Sequence, residues 1–261
     1  MQDGSKTKGV ADIVFLLDIS GSMQPCLDAV KTSIGTFVET LTHPTANNEI
    51  PVTDWRIKIC GYRDHVSDGS NWFTSAPFSR DLAEIRGHLA SPTMTASGGG
   101  DEPESLLDAV YTIATMPAPG MQDEASGDQW RARGRAVRAL ILFTDATYKT
   151  PMTIPEAKGG TVQDVVAALM GNRVILCGFV PEWEGYLELG AADKAEIEFF
   201  ATIASTPALA GLGTSGAAGI AASQASVAAL NAKSADSAQF AKIMAQLAKT
   251  VSKSAAVEKI D

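Results

Sequence analysis

Hydrophobic and polar positions change period several times along this chain, and each change predicts an element. Asp12-Ile-Val-Phe-Leu-Leu is a short apolar run with β-branched and aromatic members, the pattern of a strand buried on both faces. Leu27, Val30, Ile34, Phe37 and Leu41 then recur three and four apart, which predicts an amphipathic helix. Trp55 to Tyr62 alternates apolar and polar, as a strand does, and Trp72 to Phe78 predicts a further short strand at an edge. Ser79 is a candidate cap for a helix carrying Leu82, Ile85 and Leu89. A turn-rich stretch ends in Gly98-Gly99-Gly100, and Pro103 stands where a first helical residue belongs, ahead of Leu106, Leu107, Val110, Tyr111 and Ala114.

Residues 117–128 are rich in Pro, Gly and Asp and predict a surface loop. Val137 to Phe143 and Val174 to Val180 predict buried strands, with a helix from Thr161 to Met170 closed by Gly171 between them. Ala191 to Ala204 predicts a helix, and Ser237 to Val257 a last one with Phe240, Ile243, Leu247 and Val251 on one face. Strands alternating with helices predict a doubly wound α/β fold, a mainly parallel sheet with helices on both faces. The chain therefore divides into a tail, 1–9, and one domain, 10–261. Residues 207–235, rich in Ala, Gly and Ser with no charge between Glu198 and Lys233, form an insertion before the last helix, or a small-residue helix or partner surface.

Composition narrows the function. Of 261 residues 45% are hydrophobic and 20% charged, enough to bury a core, and the net charge of −9 argues against a nucleic-acid or anionic-membrane surface. Cys26, Cys60 and Cys177 are scattered in apolar runs and read as reduced core thiols, while His43, His65 and His88 lack zinc spacing. Met1 to Gly9 has no apolar h-region and no run is long enough to span a bilayer, so the expected compartment is the cytoplasm.

In doubly wound sheets ligands bind beyond the carboxyl ends of the strands. Three segments place oxygen donors there: Asp18-Ile-Ser20-Gly-Ser22, Asp101-Glu-Pro-Glu104, and Thr144-Asp145-Ala146. Converging carboxylates and hydroxyls suit a hard cation such as Mg²⁺, which takes about six oxygens. Blander readings stand beside this one. Asp18, Ser20 and Ser22 could cap the next helix, Asp101 and Glu104 could complement a helix N-terminus, and Asp64 with Arg63 and His65 could be a polar turn. The Arg131 to Arg135 cluster with Arg138 reads as a solvated helix face, or a dock for an acidic partner. The triple glycine is not a phosphate cradle, since acids follow it and no Gly-Lys-Ser/Thr does.

Asp18-x-Ser20-x-Ser22 in its strand context resembles the metal-ion-dependent adhesion site (MIDAS) of von Willebrand factor A (VWA) domains, and Thr144-Asp145-Ala146 matches that family's later aspartate loop. The middle loop, Gly-Gly-Gly-Asp-Glu-Pro-Glu, resembles the form in integrin β subunits and several intracellular VWA proteins, in which the glutamate, here Glu104, faces the metal. The resemblance implies a Rossmann-like VWA fold and a Mg²⁺ site (Mn²⁺ or Ca²⁺ as alternatives) held by Asp18, Ser20, Ser22, Glu104 and Asp145. It further implies a second divalent cation at Asp64, Asp101 and Glu104. It implies no third, because Gln24-Pro25-Cys26 stand where acids are needed.

The expected function is recognition of a protein partner that offers an Asp or Glu to the metal, as a subunit or adaptor of an intracellular complex. The resemblance implies a place beside an AAA+ ATPase or a kinase and phosphatase system, as for prokaryotic intracellular relatives, and the Ala-rich composition fits a bacterial source. A scaffold with a purely structural metal and 207–235 as its interface is the alternative. Catalysis is not expected: Ser20 stands where an aspartyl-phosphate phosphatase has its acid, and no Gly-x-Ser-x-Gly elbow occurs.

Overall fold

A computed structural model of the chain describes residues 9–43, 51–98, 103–192, 195–202 and 228–256. Among the described residues six strands form one sheet in the order β3-β2-β1-β4-β5-β6. They are β1 (Val10–Asp18), β2 (Asp54–Tyr62), β3 (Phe73–Ser75), β4 (Val137–Phe143), β5 (Val174–Glu182) and β6 (Glu196–Thr202). β1 is central and pairs in parallel with β2 and β4, β4 with β5 and β5 with β6; β3 alone is antiparallel, at the edge beside β2. The expected doubly wound α/β architecture is therefore the architecture observed.

The period-2 alternation of β1 sorts its side chains between two cores. Ala11, Ile13, Phe15 and Leu17 join one cluster with α1 (Gln24–Thr42) and the final helix Ser237–Ala256. Val14 and Leu16 join the other with two helices, Leu106–Ala114 and Val162–Asn172. In chain order the helices are α2 (His65–Asp68), α3 (Leu82–Leu89), α4 (Leu106–Ala114), α5 (Val162–Asn172), α6 (Glu184–Leu189), α7 (228–235) and α8 (Ser237–Ala256). On α8, Phe240, Ile243, Met244, Leu247, Ala248 and Val251 are all buried, one face at helical spacing.

Several expectations are corrected. Residues 196–202, within the expected helix Ala191 to Ala204, form strand β6, because pairing with β5 overrides the helix preference of Glu196, Glu198 and Ala201. Asp81, not Ser79, caps α3: its carboxylate accepts from the Ala83 N–H at 2.7 Å, while the Ser79 hydroxyl bonds the Asp81 N–H and Glu84. Pro103 lies outside α4, which begins at Leu106. Gly171 lies inside α5, and the left-handed residue that ends the helix is Arg173, at φ 54°. The closing part of the expected 207–235 insertion, 228–235, is helix α7, and its Leu230 belongs to the core; 203–227 lies outside the described residues. The three cysteines are buried thiols outside any disulfide, as the core-thiol reading requires. Among the described residues no helix is long and apolar enough to cross a membrane.

The arginine cluster is not a helix face. Residues 129–136 are loop and turn, and Arg131 and Arg138 are buried. Arg131 and Arg56 both clasp Asp12, a wholly buried carboxylate on β1. Asp12 accepts from Arg56 Nε (2.9 Å) and one terminal nitrogen (2.7 Å), and from Arg131 Nε and its backbone N–H, both 2.7 Å. Arg56 also donates to the carbonyls of Ser126 and Gln129, so the pair pins the 117–131 loop across the amino end of the sheet.

Removing the shared carboxylate leaves two nearly buried guanidinium groups without their counter-ion. Asp12→Ala is expected to cost about 3–5 kcal/mol of unfolding free energy in urea titration. A loss under about 1 kcal/mol would show that water compensates the arginines.

Candidate metal centre

The carboxyl ends of β1 and β4 lie side by side where the chain's winding reverses direction, β2 and β3 lying on one side and β5 and β6 on the other. β1 ends at Asp18, which is fully buried. Its Oδ1 accepts the Ser20 N–H at 2.8 Å, and its Oδ2 accepts the Thr144 hydroxyl at 2.7 Å, with the Tyr62 hydroxyl 3.5 Å away. Thr144 follows β4 directly, so one hydrogen bond ties the ends of the two central strands together. Burial pushes the Asp18 carboxyl above its ordinary range, against the hydrogen bonds from Ser20 and Thr144. Ser20 is buried, and Ser22 half-buried in the 3₁₀ turn Gly21–Met23.

Glu104 arrives from the other side. Its backbone forms a single parallel bridge to Tyr148: the Glu104 N–H donates to the Thr147 carbonyl (3.1 Å), and the Lys149 N–H donates to the Glu104 carbonyl (2.8 Å). The residue is 4% exposed, and its Oε2 is buried with no hydrogen-bond partner among the described residues. Burial first, then the charges of Asp18 and Asp64, push its carboxyl up to about 10, against the pull of Lys149. Asp145 is buried just after Thr144. Burial, followed by the charges of Asp145 and Asp18, pushes the Cys26 thiol far up, which places both carboxylates near the start of α1.

The expected site residues thus divide. Asp18, Ser20, Ser22, Glu104 and Asp145 all lie at the carboxyl edge of the sheet. Asp101 lies outside the described residues. Asp64 is buried and held by protein donors, among them the Lys149 ammonium at 2.5 Å, and this ion pair with hydrogen bonds from Ser67 and the Val66 N–H outweighs burial and lowers its carboxyl. Among the described residues no three His, Cys, Asp or Glu side chains converge to hold a metal by themselves. A donor set here therefore has to combine the Ser20 and Ser22 hydroxyls with carboxylates. A buried carboxylate oxygen without a donor, close to a second buried carboxylate, needs either a proton or a cation, and its oxygens fit a hard divalent one.

Sequence reasoning named Thr144 as an oxygen donor without its partner, and missed the roles of Lys149 and Arg63. The Thr144 hydroxyl and Lys149 sit 126 and 85 residues from the carboxylates they meet, beyond any local pattern. Arg63 clamps the loop beside the site, donating to the carbonyls of Ser97 (2.6 Å), Thr95 (2.9 Å) and Asn71 (3.2 Å). That loop reaches Gly98, whose φ of 68° and contact with the Asp68 carboxylate leave no room for a Cβ.

No family model matches the chain, and no curated protein matches it. Among solved structures, proximal thread matrix protein 1 from the mussel byssus is similar in fold: TM-score 0.53, 13% identity, 94% of this chain and 47% of that one. This chain therefore spans about half the length of the mussel protein. The SpRpn10 VWA domain aligns with TM-score 0.46 and 11% identity over 72% of this chain and 86% of its own.

Glu104 gives the metal-free protein a defined pH dependence. Its folded carboxyl is raised from 4.5 to about 10, so the folded state holds the proton more tightly than the unfolded chain. That stabilisation is complete below the unfolded value and is lost as pH rises toward the folded one. In EDTA the melting temperature is expected to fall between about pH 5 and about pH 9, and Glu104→Gln to flatten the slope. An unchanged slope in that variant would assign the pH dependence to other groups.

Proposed function

We propose that this protein is a VWA-type recognition module. In this reading Asp18, Ser20, Ser22, Glu104 and Asp145 hold a divalent cation, Mg²⁺ first and Mn²⁺ or Ca²⁺ as alternatives. A partner's Asp or Glu side chain completes its shell. The observation that carries this reading is the unpartnered Glu104 Oε2, buried near Asp18 at the switch point of a doubly wound sheet. When bound, the cation supplies positive charge for an incoming carboxylate.

The chain's own residues do the rest. Thr144 and the Ser20 N–H fix the Asp18 carboxylate, the Tyr148 bridge fixes Glu104, and Arg63 shapes the adjoining loop. Each carboxylate bound directly lowers the cation's effective charge, so the Glu104 arrangement trades partner affinity for metal affinity. The module carries no catalysis: Ser20 cannot serve as a general acid near neutral pH. AAA+ ATPases and kinase or phosphatase systems are the partner classes this reading favours.

Two measurements test it. Asp18→Ala is expected to weaken Mn²⁺ binding by more than about tenfold in calorimetry while circular dichroism stays native, since even mutating a group that only supports a metal ligand typically costs about 10–100-fold in metal affinity. In affinity capture, a partner should appear with wild type in Mg²⁺ and vanish both in EDTA and with Asp18→Ala. A partner retained in all three conditions would remove the metal from recognition.

A further inference from the structure

Asp64 is the wholly buried cap of the short helix α2, and four donors converge on it. Oδ1 accepts the Val66 N–H at 3.0 Å and the Ser105 hydroxyl at 3.2 Å. Oδ2 accepts the Ser67 hydroxyl at 2.6 Å and the Lys149 ammonium at 2.5 Å. A carboxylate offers about four acceptor positions, two on each oxygen, so this one is saturated. A metal ion could bind it only by displacing a donor already in place.

Lys149 is not a loose surface lysine that drifted onto an acid. Its backbone N–H is bonded to the Glu104 carbonyl, and Glu104 is bonded back to Thr147, so the strand-like bridge at Tyr148 fixes the root of the side chain. The side chain is 24% exposed, which lets the ammonium keep part of its hydration while facing a buried carboxylate. Ser105 adds a second tie: it follows Glu104 in the chain, and its hydroxyl also receives the His65 N–H at 2.9 Å. Asp64, Ser105, Glu104 and Lys149 are therefore one connected unit beside the candidate metal centre.

We infer that Lys149 is a built-in cation that replaces a second metal ion at Asp64. The second-site expectation at Asp64, Asp101 and Glu104 does not fit the residues around Asp64, because the positive charge that carboxylate needs is covalently attached. The consequence for the neighbouring site, which rests on the proposed metal-dependent function, is that it works with one exchangeable ion. A lysine cannot be diluted away or replaced by Ca²⁺, so its share of the local charge compensation is independent of the ionic medium. An ammonium is a compact monovalent donor on a flexible stem, and it supplies charge here without oxygen ligands of its own.

The test counts Mn²⁺ ions per chain by calorimetry and native mass spectrometry. Lys149→Met, which keeps the aliphatic stem, and Lys149→Ala are each expected to bind one ion more than wild type. Adding Asp64→Asn should remove that extra ion, while Lys149→Arg should leave the wild-type count unchanged. Equal counts in wild type, Lys149→Met and Lys149→Ala would overturn the inference. So would loss of an ion from wild type on Asp64→Asn alone, because a metal would then share Asp64 with the lysine. The readout is a difference between variants. If Asp18→Ala removes no ion from wild type, the proposed recognition site fails, while the Lys149 comparison still decides this inference.

Discussion

Two wholly buried carboxylates stand at opposite ends of the central strand, and the molecule is organised by how differently each is compensated. Asp12, near the amino end of β1, is met by Arg56 and Arg131, with four hydrogen bonds and two full positive charges. Among the described residues Asp18, at the carboxyl end, is met by neutral donors, the Ser20 N–H and the Thr144 and Tyr62 hydroxyls, and it shares its surroundings with Glu104. Desolvating an ion costs several kcal/mol, which arginines offset at one end and nothing covalent offsets at the other. The first end is a staple for the 117–131 loop. The second is an electrostatic deficit on a surface that the topology already makes a ligand site.

This asymmetry explains why the position of the candidate site's residues was legible in the sequence while the contacts that support them were not. Asp18, Ser20 and Ser22 follow an apolar run that can only be a central strand, and Asp145 follows another, so strand periodicity alone places them at one sheet edge. Glu104 was reachable through its loop pattern, although the helix expected to begin at Pro103 begins at Leu106 and the glutamate is placed by a bridge to Tyr148 instead. Lys149, Thr144 and Arg63 act across long sequence separations, and nothing about a lone lysine or threonine announces its partner. The arginine cluster was misread for the same reason. Arg131 and Arg138 look like a solvated face by local charge density, and only the tertiary position of Asp12 and the loop carbonyls draws them inside.

The fold was legible wherever a segment's own pattern decided its state. α1 and α8 show one apolar face each, and β1, β4 and β5 are continuous apolar runs. β6 was not legible because an edge strand's conformation is set by its neighbour: 196–202 has residues acceptable to a helix, and the exposed edge of β5 takes them as a strand. Similarly, Arg173 ends α5 in a left-handed conformation where Gly171 seemed the natural stop.

The carboxyl edge is also where the last helix meets the site. Phe240 on α8 stacks on Phe143 at 5.8 Å, and Phe143 immediately precedes Thr144 and Asp145. Phe143 also packs against Phe179 of β5, so the residue that carries the aspartate loop is held from the sheet side and the helix side at once. Any rearrangement that brings Asp145 closer to Asp18 has to move the Thr144–Asp18 hydrogen bond or the Phe143–Phe240 stack. The covalent cation at Lys149 anchors the opposite wall, through Asp64, Ser105 and Glu104. One wall is thus fixed by charge and the other by aromatic packing against a helix. Of the two, the aromatic contact is the one that can repack without stranding a buried charge.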